Sequence, residues 1–383
     1  MTSVANSPAP ATAPTTNGGS RDNRGSWIPN GAMIQTRIME LRKRRGLMAA
    51  LIVVYIGVPT IFLLVRLIAH AVAPKSYGPA GGYDIFTALV IGFMFFLGFI
   101  VAATLGCSAG STDLTDGMFR HLVITGRSRL ALYFARIPAG LAIIVPLVAV
   151  GFTIVCAVCV FAAPTKLSYE GVNVPPGLSA AGFNHWAASH PKEAVCGLPN
   201  FGPNNVPCYV NGKGKVVVPR GTTGFQNISP ATLKADAVKV AEQNYKAYSK
   251  LFLYPSDALM IRTGLWIELE ATIGFIVGLG LASLMGQRTV PVVLMIVLEV
   301  ILTPLFSRVA IPHLINAQRG LVGLAMSHLE PSALPHNLGG GGGGPGGGPT
   351  LVPESLTVAI CVVVAWLVGW TALGAWRMVK RDA

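Results

Sequence analysis

Six stretches of apolar residues, each about twenty long, dominate this chain, at about 47–73, 85–105, 137–163, 260–285, 290–311 and 356–376. A helix rising ~1.5 Å per residue needs roughly 20 residues to cross a ~30 Å hydrocarbon core. The spacing therefore specifies a polytopic, all-α membrane protein with six transmembrane helices. Composition agrees: 52% of the 383 residues are apolar and 12% charged, against roughly 25% charged in soluble domains. A pair of soluble domains is excluded.

The net charge of +13 is not spread evenly. Arg21, Arg24, Arg37, Arg42, Lys43, Arg44 and Arg45 precede the first span, Arg120, Arg127, Arg129 and Arg136 lie between the second and third, and Arg377, Lys380 and Arg381 follow the sixth. Basic residues clustered on alternate loops are the pattern of cytosolic segments. No nucleic-acid module accompanies them, so nucleic acid is not an expected partner. Six crossings with these clusters inside give an N-in/C-in topology in the cell (plasma) membrane, in contact with lipid.

The domain order follows. Residues 1–29, rich in Ala, Pro, Thr, Ser and Asn, read as a disordered cytosolic tail, and no apolar h-region marks a cleaved signal peptide there. Residues 30–46 carry Met33, Ile34, Ile38 and Leu41 at helical spacing and close on Lys43-Arg44-Arg45. They suit an amphipathic helix in the membrane interface; a solvated basic run that only fixes orientation is the alternative. Residues 47–163 hold spans one to three. Residues 164–258 form an extracellular insertion, with a helical pattern that starts at Ser229-Pro230 and runs to about Leu253. Its nine Lys and Arg do not upset the topology, because long translocated segments count little toward the charge rule. Residues 259–383 hold spans four to six and a flexible Gly-rich exterior loop at 339–348.

Cys107, Cys156, Cys159 and Cys361 sit in or beside spans, as small packing residues do. Cys196 and Cys208 lie in the insertion, on the oxidising side, and are a disulfide candidate. Two free thiols, or a zinc site with His185 and His190, are the other readings. Asn227-Ile-Ser229 is a formal glycosylation sequon.

The chain holds no G-x-x-x-x-G-K-[ST], H-E-x-x-H or G-x-S-x-G motif. It is expected to be no enzyme, to have no catalytic, cofactor-binding or metal site, and to hydrolyse no ATP itself. The segment Asp113-Leu-Thr-Asp-Gly-Met-Phe-Arg-His-Leu-Val-Ile-Thr-Gly-Arg-Ser-Arg129 is too polar for lipid and too amphipathic for a plain loop. Met118, Phe119, Leu122 and Val123 supply apolar turns; Asp113 suits a helix start, and Arg127 and Arg129 suit a helix end.

This segment resembles the cytosolic stretch of type-2 ABC transporter permeases. Gly117, Arg120, Thr125, Ser128, Arg129 and Arg136 fall on that family's motif positions, with Gly126 in place of the usual Pro and Arg127 in place of Val or Leu. Glu40-Leu-Arg-Lys-Arg-Arg45 resembles the family's interface helix. The long insertion and the glycine tract depart from the pattern. The resemblance implies the permease subunit of an ABC exporter, working as two copies or with a homologue, whose partner is a separate ABC ATPase subunit carrying ATP and Mg. Residues 113–126 would be its coupling helix, with Asp113, Asp116, Gly117, Phe119, Arg120, Arg127, Ser128 and Arg129 docking to the ATPase. A helix bound only to lipid is the alternative for this segment. For the whole chain, the alternatives are a membrane-anchored scaffold or sensor with an extracellular binding domain, and a secondary transporter.

Glu268 and Glu270 in the fourth span and Glu299 in the fifth are costly in lipid and expected to face a bundle interior or an aqueous cavity. Counting back from the turn at 286–289 puts Arg308 at the depth of Glu268. That predicts an ion pair between Arg308 and Glu268 or Glu270, and leaves Glu299 with a substrate or a packing role. Arg262 and Trp266 are spaced for an interfacial cation–π pair or for simple anchoring.

Overall fold

The computed structural model describes residues 27–73, 76–115, 128–169, 172–198, 208–211, 215–218, 225, 228–307, 317–334 and 354–380. The expected tail through residue 26, residues 116–126 of the expected coupling helix, Arg127, Arg308 and the glycine tract at 339–348 lie outside them.

The chain is an all-α, multi-pass membrane protein. Helix α1 (Gly31–Lys43) starts at Asn30, whose side chain accepts from the Met33 amide. Six helices long and apolar enough to cross a membrane follow: α2 (Arg45–Val72), α3 (Tyr83–Asp113), α4 (Arg129–Phe161), α8 (Asp257–Met285), α9 (Thr289–Phe306) and α11 (Leu356–Lys380). Between α4 and α8 come hairpin β1 (Leu167–Tyr169) and β2 (Val172–Val174), helices α5 (Ala180–Ser189) and α6 (Pro191–Gly197), the short pair β3 (Tyr209–Val210) and β4 (Val216–Val217), and α7 (Pro230–Tyr248). A short buried helix, α10 (Val322–His328), lies between α9 and α11.

α8 is the central post of the bundle, and α3 is its principal neighbour. Their contact is built on small residues. A Cβ at Gly106 would stand 2.0 Å from the Phe275 carbonyl oxygen, and one at Gly278 would stand 2.4 Å from that of Ala103. Without a strong hydrophobic drive between helices in lipid, such backbone approach is what holds two helices together. α8 ends at Gly286, whose left-handed φ of 71° starts the tight turn into α9.

Among the described residues three spans contain a π-helical turn: Val53–Gly57 in α2, Val90–Phe95 in α3 and Val297–Leu302 in α9. In α2 and α9 a proline follows closely, at Pro59 and Pro304. Proline has no amide proton and its ring crowds the carbonyl four residues back; the wider turn before it relieves that crowding and the helix runs on. Thr303 Oγ1 donates to the Leu298 carbonyl at 3.0 Å, five residues back.

α3 runs past the apolar end expected near residue 105 because its hydroxyls satisfy themselves. Ser108, Ser111 and Thr112 donate to the carbonyls of Thr104, Cys107 and Ser108. α4 likewise begins at Arg129 rather than near 137, with Ser128 as its cap.

The 164–256 segment has its own core, in which Phe183 stacks between Trp186 (5.7 Å) and Tyr248 (4.2 Å), surrounded by Val172, Val174, Val195, Leu233 and Val240. α7 starts where Ser229-Pro230 predicts, with the Ser229 hydroxyl accepting from the Thr232 amide, and it ends at Tyr248, short of Leu253. Cys196 and Cys208 are joined by a disulfide. His190 spends Nδ1 on Ser189 and the Trp186 carbonyl. The domain is tied to the bundle by the Tyr83 amide, which donates to the Leu253 carbonyl at 3.1 Å; within the bundle the neighbouring Gly82 amide donates to the Cys159 carbonyl of α4 at 2.8 Å.

Candidate functional site

Two groups of charged residues are built into the bundle, one at the end opposite the 164–256 domain and one in its interior.

At the first, three elements meet on Asp113. Arg37 of α1 donates to both Asp113 oxygens, at 2.7 and 2.6 Å, and also to Glu40 Oε2 at 2.6 Å. Arg136 of α4 donates to Asp113 Oδ2 at 2.6 Å and to the Gly110 carbonyl at 3.0 Å. Arg136 and Asp113 are 2% and 3% exposed, so neither charge could be tolerated alone. Two guanidinium groups and two carboxylates bring the cluster to zero net charge. Burial works against the charged form of Arg37, but the Asp113 and Glu40 carboxylates outweigh it and raise its pKa above the ordinary arginine value. Asp113 does not open a new helix; it lies near the end of α3, as the acceptor that binds α1, α3 and α4 together.

The other end of the segment is also anchored. Ser128 Oγ accepts from the Ala131 amide at 3.0 Å and caps α4. Arg129 donates to the Val379 carbonyl of α11 at 3.0 Å. Asp116, Gly117, Phe119, Arg120 and Arg127 lie outside the described residues; what is described is the frame that holds the segment at both ends.

The intramembrane acids divide between a groove and the bundle interior. Glu268 is half-buried and lines a groove between α4 and α8 with Phe152, Cys156, Ile261 and Leu265, a space of about 460 Å³. Glu270 and Glu299 are 1% and 0% exposed, and each other's electrostatic neighbour. No hydrogen-bond partner reaches either Glu270 oxygen, and beside Glu299 stands the Thr303 hydroxyl, which donates to the Leu298 carbonyl. Arg308, the expected partner of Glu268 or Glu270, lies outside the described residues. Sequence counting did not bring Glu270 and Glu299 together; Glu299 sits in the π-helical turn Val297–Leu302.

Trp266 is neither an interfacial anchor nor a cation–π partner of Arg262. It points inward, stacked on Phe95 at 4.4 Å, and its Nε1 donates to the Met326 carbonyl of α10 at 2.9 Å. Arg262 is exposed. Burying an indole is favoured once its one donor finds an acceptor, and α10 supplies it.

No protein-family model, curated protein or solved structure matches this chain.

Proposed function

We propose that this chain is the membrane-spanning permease subunit of an ATP-driven ABC exporter. In this reading both termini and the 113–129 segment face the cytosol, the 164–256 domain faces outward, and the membrane is the plasma membrane. The segment docks on a separate ATPase subunit that carries ATP and Mg, and a second permease copy or a homologue completes the path. The observation that carries the reading is the Arg37–Asp113–Arg136 cluster. A handle that transmits force has to be stiffly joined to the helices it moves. Here the segment leaves the bundle from a neutralised, bidentate charge cluster shared by three helices, and re-enters at a capped helix start pinned to a fourth.

The test is reconstitution of the full chain in proteoliposomes with a P-loop ATPase recovered by co-purification on it. The expected outcome is stimulated ATP hydrolysis and co-sedimentation of the two chains, both lost on Phe119→Asp or Arg120→Glu while the permease remains folded. Full coupling in both variants would refute the reading.

A second reading, an anchored scaffold or sensor, is favoured by the 164–256 domain, which has its own core, a disulfide and a cleft of about 520 Å³ lined by Tyr245, Tyr248, Phe252 and Tyr254. It predicts that deleting the domain abolishes function while the two segment substitutions do not.

A further inference from the structure

We propose that Glu270 and Glu299 form a proton-binding site in the core of the bundle, covered by α10. This does not depend on the exporter reading.

Two carboxyl groups in one water-excluded place present a specific problem. An isolated carboxylate moved into an apolar medium loses hydration that nothing there replaces, and a second negative charge beside it adds repulsion. Native structures answer with a cation, with donor hydrogen bonds or with a proton. Among the described residues neither of the first two meets the need: Glu270 has no hydrogen-bond partner, the one donor beside Glu299 is the Thr303 hydroxyl, which gives its proton to the Leu298 carbonyl, and no Lys, Arg or His is paired to either group. A proton needs no cavity and no further ligands.

The surroundings offer little else that titrates. Among the described residues, Tyr55 of α2 is a further ionisable group within electrostatic reach of Glu270, and its hydroxyl already donates to the Gly98 carbonyl at 2.7 Å. From α9 comes Thr303, which donates to Leu298. From α8 come Thr263, buried without a partner, and Trp266, which donates to Met326. α10 contributes Gly323, and its one titratable residue, His328, is turned to Glu354 at 3.5 Å. The described charges of α3, α4 and α11 lie at helix ends: Asp84, Asp113, Arg129, Arg136, Arg377 and Lys380.

Two features show how the site is reached. A Cβ at Gly323 would stand 3.0 Å from Glu299 Oε2 and 3.0 Å from Thr303 Oγ1, so the α10 backbone lies directly against the pair. α10 is only seven residues long and is held to the bundle partly by the Trp266 hydrogen bond. Moving it aside would admit water to the carboxyls without unfolding a span. In addition, Tyr55, Phe95 and Glu299 each sit in one of the three π-helical turns, and each meets α8 in the short stretch from Trp266 to Glu270. Such turns, which interrupt regular hydrogen bonding, gather at functional sites.

The experiment uses the full chain in membranes and the lipid-soluble probe dicyclohexylcarbodiimide. A protonated carboxyl gives its proton to one carbodiimide nitrogen while its oxygen bonds to the central carbon; acyl migration to nitrogen then leaves a stable N-acylurea. At neutral pH, peptide mapping should place the adduct on Glu270 or Glu299 in preference to Glu268. The yield should fall as pH is raised, by roughly tenfold per unit beyond the titration point, and excess sodium or potassium should leave it unchanged. No adduct on the pair, preferential reaction at Glu268, or protection by either cation overturns the proposal; protection would mark a metal-ion site instead. The decisive readings come from the unsubstituted chain, so they stand even if E270Q/E299Q fails to fold.

Discussion

Arg37 and Asp113, 76 positions apart in the chain, meet in a two-point ion pair whose contacts are 2.6 and 2.7 Å. The pair joins a helix outside the spans to the end of α3 opposite the 164–256 domain. The second guanidinium, Arg136, uses the same carboxylate from the other side. Any movement of one of the three helices is therefore felt by the other two.

Removing the shared acceptor should cost more than removing either donor. Asp113→Ala leaves Arg136 buried with its charge uncompensated, a situation worth roughly 3–5 kcal/mol. Arg37→Ala leaves the Asp113–Arg136 pair intact and should cost less. Thermal unfolding of the detergent-solubilised chain should rank the variants in that order; equal melting of Asp113→Ala and the unsubstituted protein would show the cluster to be dispensable.

The α3–α8 contact should tolerate no added carbon at its centre. Gly106→Ala places a methyl on the Phe275 backbone at 2.0 Å, and backbone on both sides cannot yield. Gly92→Ala on the same span meets nothing within 4 Å. Overpacking typically costs about 1–3 kcal/mol, and here the upper end or loss of folding is expected. Size-exclusion profiles and melting of the two variants side by side give the answer, with Gly92→Ala close to unsubstituted.

Loss of the Cys196–Cys208 bond should loosen the 164–256 domain and spare the spans. A bridge across a loop of this length, 12 positions of separation, contributes about 2–3 kcal/mol in the chain-entropy account. Cys196→Ser, or reduction, should raise amide exchange in α5, α6 and α7 and leave exchange in α3 and α8 unchanged. Equal loosening of both regions would mean that the domain and the bundle unfold as one unit.

The six spans were legible because twenty-residue apolar runs are a length signal that few other structures imitate. The start of α7 was legible at Ser229-Pro230 because a capping hydroxyl and a proline at the first turn act locally. What escaped was set by tertiary neighbours. Hydropathy ended the second span near residue 105; α3 continues because its hydroxyls bond back to their own helix and because Asp113, an acid that would stop a helix in lipid, meets two arginines from elsewhere. Depth counting matched Glu268 with Arg308, which lies outside the described residues, and gave no sign that Glu270 and Glu299 are neighbours. Trp266 read as a surface anchor because nothing in its own stretch announces α10, whose carbonyl receives its indole proton.

The position of α8 has a consequence for biogenesis. α3 and α8 form the tightest contact in the bundle, yet the whole of α4 and the disulfide-bonded domain lie between them in the chain. As the polypeptide emerges, α3 has to wait in the membrane with its glycine face unmatched by α8 until that domain has been synthesised. Arg37, already made, and Arg136, next to appear, can neutralise Asp113 during the interval. The charge cluster is thus available as an early assembly clamp, closed before the central post arrives.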